Sequence, residues 1–382
     1  MKTQPVRLIH LDLLRGLAAL AVVVGHVRGF LLIDHGDLVA PALWHKPFYF
    51  LGGLGHQAVI AFFALSGYLV GGQALKRILT GAWSWPEYLI ARLSRLWTVV
   101  IPALALTFVL DIAGWAICGG TGYDGSYYGI LSSGPTLREP VDHSLWTLAS
   151  NLLFLQTIIS PIFGSNGPLW SLANEFWYYV VFPLAAVSFW GRASPGLRLL
   201  SGFVAFTLSW LLPLALMLLG AVWVAGALAC HLAAQTEMRR IFRHSAYRAA
   251  TALAVVGSVL TGFGQNGWLY DLILGFAWAA LLPVLATMTT APVRASGLYE
   301  SVAKGLSEIS YTLYATHFPI LSFVYFVGIA PRQWSPGLEV LGLGAGMLAL
   351  SLVLSAALWW CFERNTPVAK AMLVAMLRLI KA

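Results

Sequence analysis

Two ionisable residues, Arg15 and His26, stand eleven positions apart in the first apolar stretch of the chain. On an α-helix, eleven steps end about 20° from a whole number of turns, so both side chains share one face, about 16 Å apart along the axis. Ionisable groups at membrane depth are costly and usually face a bundle interior or a polar cavity. Histidine titrates near neutral pH, which makes His26 a candidate general base or acid. Pairing of Arg15 with Asp12 and an interhelical hydrogen bond of His26 are the structural alternatives.

A carboxylate stands inside another apolar stretch, where Glu175 lies in the string PLWSLANEFWYY at residues 168–179. An unpaired charge in such a setting is expensive. If this segment runs opposite to the first one, Glu175 and His26 lie at the same depth, about 10 Å below the outer surface. A carboxylate beside a histidine orients the ring and supports its imidazolium form. The sequence therefore predicts a His26–Glu175 pair that is suited to general acid–base catalysis. A structural pair of Glu175 with an arginine or a histidine is the alternative.

Two arginines form a third candidate site. Arg92 and Arg95 lie three positions apart in YLIARLSRLWTVVIP, residues 88–102, and so share a helix face. Guanidinium groups match phosphate oxygens in shape and charge, so the pair is a candidate site for a phosphorylated substrate. The alternative is that the two charges only set the orientation of the chain in a membrane.

Three further strings carry polar residues in apolar surroundings: AFFALSGYLV at 61–70 with Ser66, SYTLYATHFPI at 310–320 with His317, and FERNTP at 362–367. Together with LDLLRGLAAL at 11–20, the histidine that follows it, and the strings above, they resemble the motifs of the acyltransferase-3 family. Members of that family O-acylate sugars and other hydroxyl compounds. The matches run in the expected order from residue 11 to about residue 367, which is nearly the whole chain.

Two of these strings leave alternatives open. The small residues Ser66 and Gly67 would also allow close approach of two helices, without any role in a reaction. The last string departs from the family's closing element, because Pro367 comes four residues after Glu363. The role of Glu363 is therefore open between that element and a simple pairing with Arg92 or Arg95.

The resemblance implies an enzyme with a coenzyme A thioester as its donor substrate, acetyl-CoA being the first expectation, and with no bound cofactor or metal. It places the phosphates of coenzyme A near Arg15, Arg92 and Arg95, and the thioester beside Ser66 and His317. His317 falls nearer the cytoplasmic end of its predicted segment. We therefore expect it to face the passage for the donor rather than His26.

For the acceptor, the resemblance implies a carbohydrate or a lipid-linked glycan that is bound by Trp170 and Ser171. His26, oriented by Glu175, removes a proton from its hydroxyl group, and the oxygen attacks the thioester directly. Transfer through an acyl-enzyme intermediate is the alternative. A transporter or flippase for a lipid-linked sugar is the competing function, although no inverted repeat supports it. An assembly scaffold would tolerate substitution of Arg15, His26 and Glu175.

The elements that position these residues are membrane helices. Of the 382 residues, 59% are hydrophobic and only 10% are charged, whereas soluble domains carry about a quarter charged residues. The net charge is +8, and the basic residues that produce it lie between the apolar runs. This distribution fits a positive-inside bias and not nucleic-acid binding. The three cysteines show no disulfide or metal pattern. We predict an all-α, polytopic membrane bundle that forms one domain over residues 1–382.

Ten apolar runs are long enough to be predicted as spans: 9–33, 49–74, 96–117, 168–190, 199–217, 219–234, 249–263, 269–289, 309–329 and 338–361. The run 145–163 is assigned as re-entrant or interfacial, because a full crossing would place the arginines of 239–248 outside. Residues 118–167 then form an outer loop plus this re-entrant or interfacial segment, both termini are cytoplasmic, and 364–382 is a cytoplasmic tail. The resemblance points to a bacterial inner membrane.

Overall fold

The computed structural model describes residues 8–131, 134–262, 267–288 and 297–381, and the side chains of these residues up to 376. The helices are α1 (Ile9–Leu31), α2 (His45–Gly52), α3 (Gly55–Ser66), α4 (Gly72–Thr80), α5 (Trp85–Cys118), α6 (Tyr128–Leu131), α7 (Leu145–Leu152), α8 (Trp170–Trp190), α9 (Pro195–Leu211), α10 (Leu214–Ala233), α11 (Thr236–Arg243), α12 (Ser245–Thr261), α13 (Trp268–Met288), α14 (Gly297–Gly328), α15 (Leu338–Cys361) and α16 (Thr366–Lys381). Within these residues only isolated β-bridges occur, so the predicted all-α class is confirmed.

Six helical stretches of the described chain are long and apolar enough to cross a membrane: Ile9–Leu31, His45–Thr80, Trp85–Cys118, Leu214–Ala233, Trp268–Met288 and Leu338–Met376. Many large apolar side chains on these helices are exposed, as in a protein whose surface faces lipid. A polytopic membrane bundle is therefore consistent with the structure. The count of about ten spans stays a prediction.

One predicted boundary between spans is wrong. The sequence interpretation divided the apolar stretch after residue 199 at position 218, but α9 ends at Leu211 and α10 begins at Leu214. Leu212 adopts an extended backbone, φ −78° and ψ 147°, because the ring of Pro213 disfavours the helical conformation for the residue before it. The hydropathy of the sequence does not predict this break, because the residues on both sides of it are apolar.

The segment 145–163 contains only the eight-residue helix α7. Such a helix is about 12 Å long, whereas the hydrocarbon core of a bilayer is about 30 Å thick. The segment therefore has no helix that could cross, and its re-entrant or interfacial placement stays a prediction. Ahead of α7, Asp142 accepts hydrogen bonds from Thr147 and from the backbone N–H of Ser144, 2.7 Å away. Burial acts to raise the pKa of Asp142, but these hydrogen bonds outweigh it and lower the pKa.

The chain divides into two compact units. The first contains the residues up to Ala18, His56–Trp85 and Asn174–Glu308, and the second contains Ala19–Gly55, Pro86–Ala173 and the residues from Ile309 onward. Helices α1, α3, α5, α8 and α14 each contribute residues to both units. The expectation of a single domain stays a prediction.

In the first unit, small residues bring the backbones of α3 and α10 together. A Cβ atom on Gly226 would lie 2.1 Å from the carbonyl oxygen of Ala64, and one on Gly67 would lie 1.8 Å from that of Trp223. Gly67 also begins a π-helical turn that extends to Gly71. Close packing of small residues is the usual way in which membrane helices associate, so Gly67 has the structural role that the sequence left open for it.

Candidate functional site

His26 lies in the second unit, against another histidine. The ring centroids of His26 and His317 are 5.2 Å apart, and the ring of Phe318 meets His26 edge-on at 4.9 Å. The expectation that His317 would not face His26 was therefore wrong. It assumed that the helix begins at residue 309, whereas α14 begins at Gly297. His317 consequently lies in the second half of α14 and not near its start.

The hydrogen bonding of His317 fixes its tautomer. Its ring is fully buried, and Nδ1 lies 3.0 Å from the carbonyl oxygen of Leu313. A carbonyl can only accept, so Nδ1 donates, and Nε2 of the neutral ring carries a lone pair. That buried Nε2 has no hydrogen-bond partner in the described part of the chain. The sequence motif did not predict this arrangement, because it depends on contact between two helices distant in the chain.

Glu175 lies in the first unit, in a network of hydroxyl groups. Ser66 donates to its carboxylate at 2.7 Å, and the hydroxyl of Tyr179 donates to the same oxygen. The indole Nε1 of Trp223 in turn donates to Ser66 at 3.1 Å. Ser66 therefore positions the carboxylate of Glu175. Its predicted contact with the thioester of the acyl donor stays a prediction. The predicted orientation of His26 by Glu175 stays a prediction.

Arg15 also lies in the first unit, where it adopts the pairing that the sequence offered as its structural alternative. Its guanidinium lies 3.3 Å from the carboxylate of Asp12, one turn earlier on α1. It also donates to the hydroxyl of Ser307, which itself donates to Asp12 at 3.0 Å. Arg15 is thus held in a defined orientation, and its role in binding coenzyme A stays a prediction.

The two arginines of α5 contact aromatic rings in the second unit. The guanidinium of Arg92 lies 5.9 Å from the ring centroid of Tyr88, and that of Arg95 lies 5.8 Å from that of Tyr311. A cation over an aromatic face is held there by the ring's quadrupole. The binding of a phosphate group by these two arginines stays a prediction. Within the closing motif, Glu363 accepts a hydrogen bond from Thr312 at 2.6 Å.

The residues predicted to bind the acceptor lie at the start of α8. Ser171 is buried, and its hydroxyl lies 2.7 Å from that of Tyr314 and 3.1 Å from the carbonyl oxygen of Pro168. Trp170 is half-buried. Ser171 and Tyr314 belong to two of the motifs, so one hydrogen bond joins α8 to α14 within the second unit. Binding of the acceptor by Trp170 and Ser171 stays a prediction.

Sequence reasoning missed two carboxylates inside apolar helices. Asp111 of α5 is fully buried and accepts from the N–H of Ser165 at 2.7 Å, from the Ser165 hydroxyl at 2.6 Å and from His143 at 2.9 Å. Asp271 of α13 lies 2.6 Å from Nε2 of His56. The signal was the same as for Glu175, a lone acidic residue in an apolar run. In the part of the chain that the structure describes, no group of three or more His, Cys, Asp or Glu side chains could hold a metal ion.

The comparisons with known proteins agree with these motifs. A family described as an acyltransferase domain, acyltransferase-3, matches residues 8–356. Neither the curated proteins nor the solved structures contain a match. The matched region includes all residues of the candidate site, from Arg15 to His317, and covers most of the chain. The chain therefore belongs to the acyltransferase-3 family and is an acyltransferase.

Proposed function

We propose that this acyltransferase moves an acyl group, with acetyl as the first choice, from cytoplasmic acyl-CoA to a hydroxyl group of a carbohydrate or a lipid-linked glycan. The observation that carries the proposal is the contact of His26 with His317, whose buried Nε2 carries a lone pair and has no hydrogen-bond partner in the described residues. Two neighbouring imidazoles cannot both be charged at low cost in such surroundings. The pair is therefore suited to take up one proton and release it again.

In the proposed reaction, one proton moves from the acceptor hydroxyl through the histidine pair to the sulfur of coenzyme A. His26 removes the proton from the acceptor hydroxyl while the oxygen attacks the acyl carbon of the thioester. The new C–O bond forms, the C–S bond breaks, and the sulfur of coenzyme A leaves as a thiolate. His317 shares the proton with His26 until the thiolate takes it as free coenzyme A. General acid–base catalysis of this kind contributes about 10²- to 10⁴-fold to a rate.

The donor is held by its phosphates. We assign them to Arg15, Arg92 and Arg95, because guanidinium groups bind phosphate oxygens with two parallel hydrogen bonds. The cation–π contacts of Arg92 and Arg95 leave both groups ordered, so little side-chain entropy is lost on binding. With the arginines at the cytoplasmic side, both termini are cytoplasmic, and the enzyme resides in a bacterial inner membrane.

Donor truncation tests this assignment. Acyl-pantetheine keeps the thioester but lacks the nucleotide and its phosphates. Arg92→Gln and Arg95→Gln should each raise KM for acyl-CoA about tenfold, as expected for a lost charged hydrogen bond, and leave KM for acyl-pantetheine unchanged. Arg240→Gln is the matched control, because the Arg240 side chain is largely exposed and forms its ion pair with the equally exposed Glu237. Equal effects on both donors would reject the phosphate site.

A second experiment separates acyl transfer from transport. Purified protein in liposomes receives acyl-CoA inside and a soluble acceptor sugar outside. Transfer predicts one free thiol of coenzyme A for each ester formed on the acceptor. Movement of the acceptor across the bilayer without thiol release would favour the transporter.

A further inference from the structure

An apolar groove of about 170 Å³ lies in the second unit, outside the residues assigned to acyl transfer. It is formed by α1, α2 and α15, and its lining includes Val27, Leu31, Phe48, Leu341 and Leu348. Drug-sized ligands occupy sites of about 300–1,000 Å³. The groove is therefore too small for a whole nucleotide, and its size and apolar lining suit a segment of one hydrocarbon chain.

One charged residue, Arg28, lines this groove. Its Nε is buried and has no hydrogen-bond partner in the described residues. Its Nη1 lies 3.5 Å from Asp34, whose side chain is 64% exposed, and its guanidinium lies 5.8 Å from the ring centroid of Tyr49. A long ion pair with an exposed partner is weak. The guanidinium therefore retains donors for an anionic ligand.

Two glycines shape the groove around this arginine. A Cβ atom on Gly52 would lie 2.5 Å from Cδ of Arg28, so only glycine lets the arginine side chain lie against α2. A Cβ atom on Gly344 would lie 3.3 Å from Cγ1 of Val27, which is tighter than ordinary contact. A larger residue at either position would displace the side chains that line the groove.

We propose that this groove binds an anionic phospholipid, with one acyl chain in the groove and the phosphate on the guanidinium of Arg28. Lipid tails are as apolar as leucine side chains, so apolar contact within a bilayer selects little. Selection must come from the head group, and a phosphate with additional negative charge complements Arg28 better than a zwitterionic one. Arg28 lies three residues before the end of α1, about 4.5 Å from it along the axis, and in the predicted topology this end of the span meets the outer lipid head groups.

The test is lipid binding to the purified, delipidated full-length protein, measured by native mass spectrometry. Phosphatidylglycerol and phosphatidylcholine with identical chains are titrated in parallel. The proposal predicts stronger binding of phosphatidylglycerol, and about fivefold weaker binding of it to Arg28→Gln. The matched control is Arg332→Gln. Arg332 is exposed and lies outside the groove. It is next to Gln333, whose side-chain amide donates to the carbonyl oxygen of Gly29.

A second pair of variants tests the groove without changing charge. Ala345→Phe fills it, since Ala345 is an exposed part of the lining, whereas Ala349→Phe adds the same bulk one turn further along α15, outside the lining. Only the first should weaken binding. Equal binding of both lipids, unchanged binding to Arg28→Gln, or equal effects of the two phenylalanines would overturn the proposal. Displacement of the lipid by millimolar glycerol 3-phosphate would instead assign Arg28 to a water-soluble phosphate and also overturn it. None of these outcomes depends on acyl transfer.

Discussion

The buried carboxylate of Asp111 should hold the segment from His143 to Ser165 in place. Asp111→Ala removes the acceptor for two donors that cannot easily turn elsewhere, the N–H of Ser165 and Nε2 of His143, at 2.7 and 2.9 Å. A buried donor left without a partner costs about 1–3 kcal/mol, so two cost about 4 kcal/mol. Local opening of the segment should then become about a thousandfold more frequent.

Hydrogen exchange measures this opening directly. Peptides that cover residues 142–166 are followed by mass spectrometry under conditions in which reclosing is faster than exchange. Ser165→Ala is the matched variant, because it removes one of three hydrogen bonds to Asp111 and leaves the other two. We expect about 1 kcal/mol from that change, or about a fivefold faster exchange. If Asp111→Ala speeds exchange no more than Ser165→Ala, the carboxylate does not hold the segment.

Two further predictions concern close packing and pH. Gly67→Ala should lower the amount of folded protein severalfold, because the new Cβ meets the backbone oxygen of Trp223 at 1.8 Å; Gly257→Ala, with open space around it, should not, and fluorescence-detected size-exclusion chromatography compares them. The lowered pKa of Asp142 contributes stability that is present above the ordinary value of 3.8 and is lost as the pH falls through the lower folded value. The stability that wild type gains over Asp142→Asn in thermal unfolding should therefore be largest above pH 3.8 and shrink as the pH falls further below it, and a difference that stays constant on acidification would refute it.

The sequence was informative wherever one physical rule dominates. Low charge and long apolar runs predicted the helical membrane class. A long apolar run can lie in lipid as a helix because the helix satisfies its own backbone hydrogen bonds. The isolated carboxylate of Glu175 was recognised as significant by its cost alone, and the structure gives it the hydroxyl partners that such a group needs. The Asp12–Arg15 pairing, which their spacing on one helix offered as the structural alternative, is present at 3.3 Å.

The failures arose where an element is not uniformly apolar or where two distant elements meet. Residues 297–308 are too polar to be predicted as part of a span, so α14 was started late and His317 was given the wrong neighbours. Pro213 could have predicted the break between α9 and α10, since proline restricts the residue before it. The division between the two spans was instead placed at residue 218 from hydropathy alone. The contact between His26 and His317 depends on the packing of α1 with α14, for which spacing within either helix carries no information.

The role of the two histidines is the central claim, and the rate of thiol release from acyl-CoA in the presence of acceptor tests it most directly. His26→Ala should reduce that rate by about 10²- to 10⁴-fold in protein that still elutes as a folded species. His317→Gln, which can accept a hydrogen bond but cannot carry the proton, should reduce the rate and alter its pH profile. A rate for His26→Ala equal to that of the wild type would contradict the account.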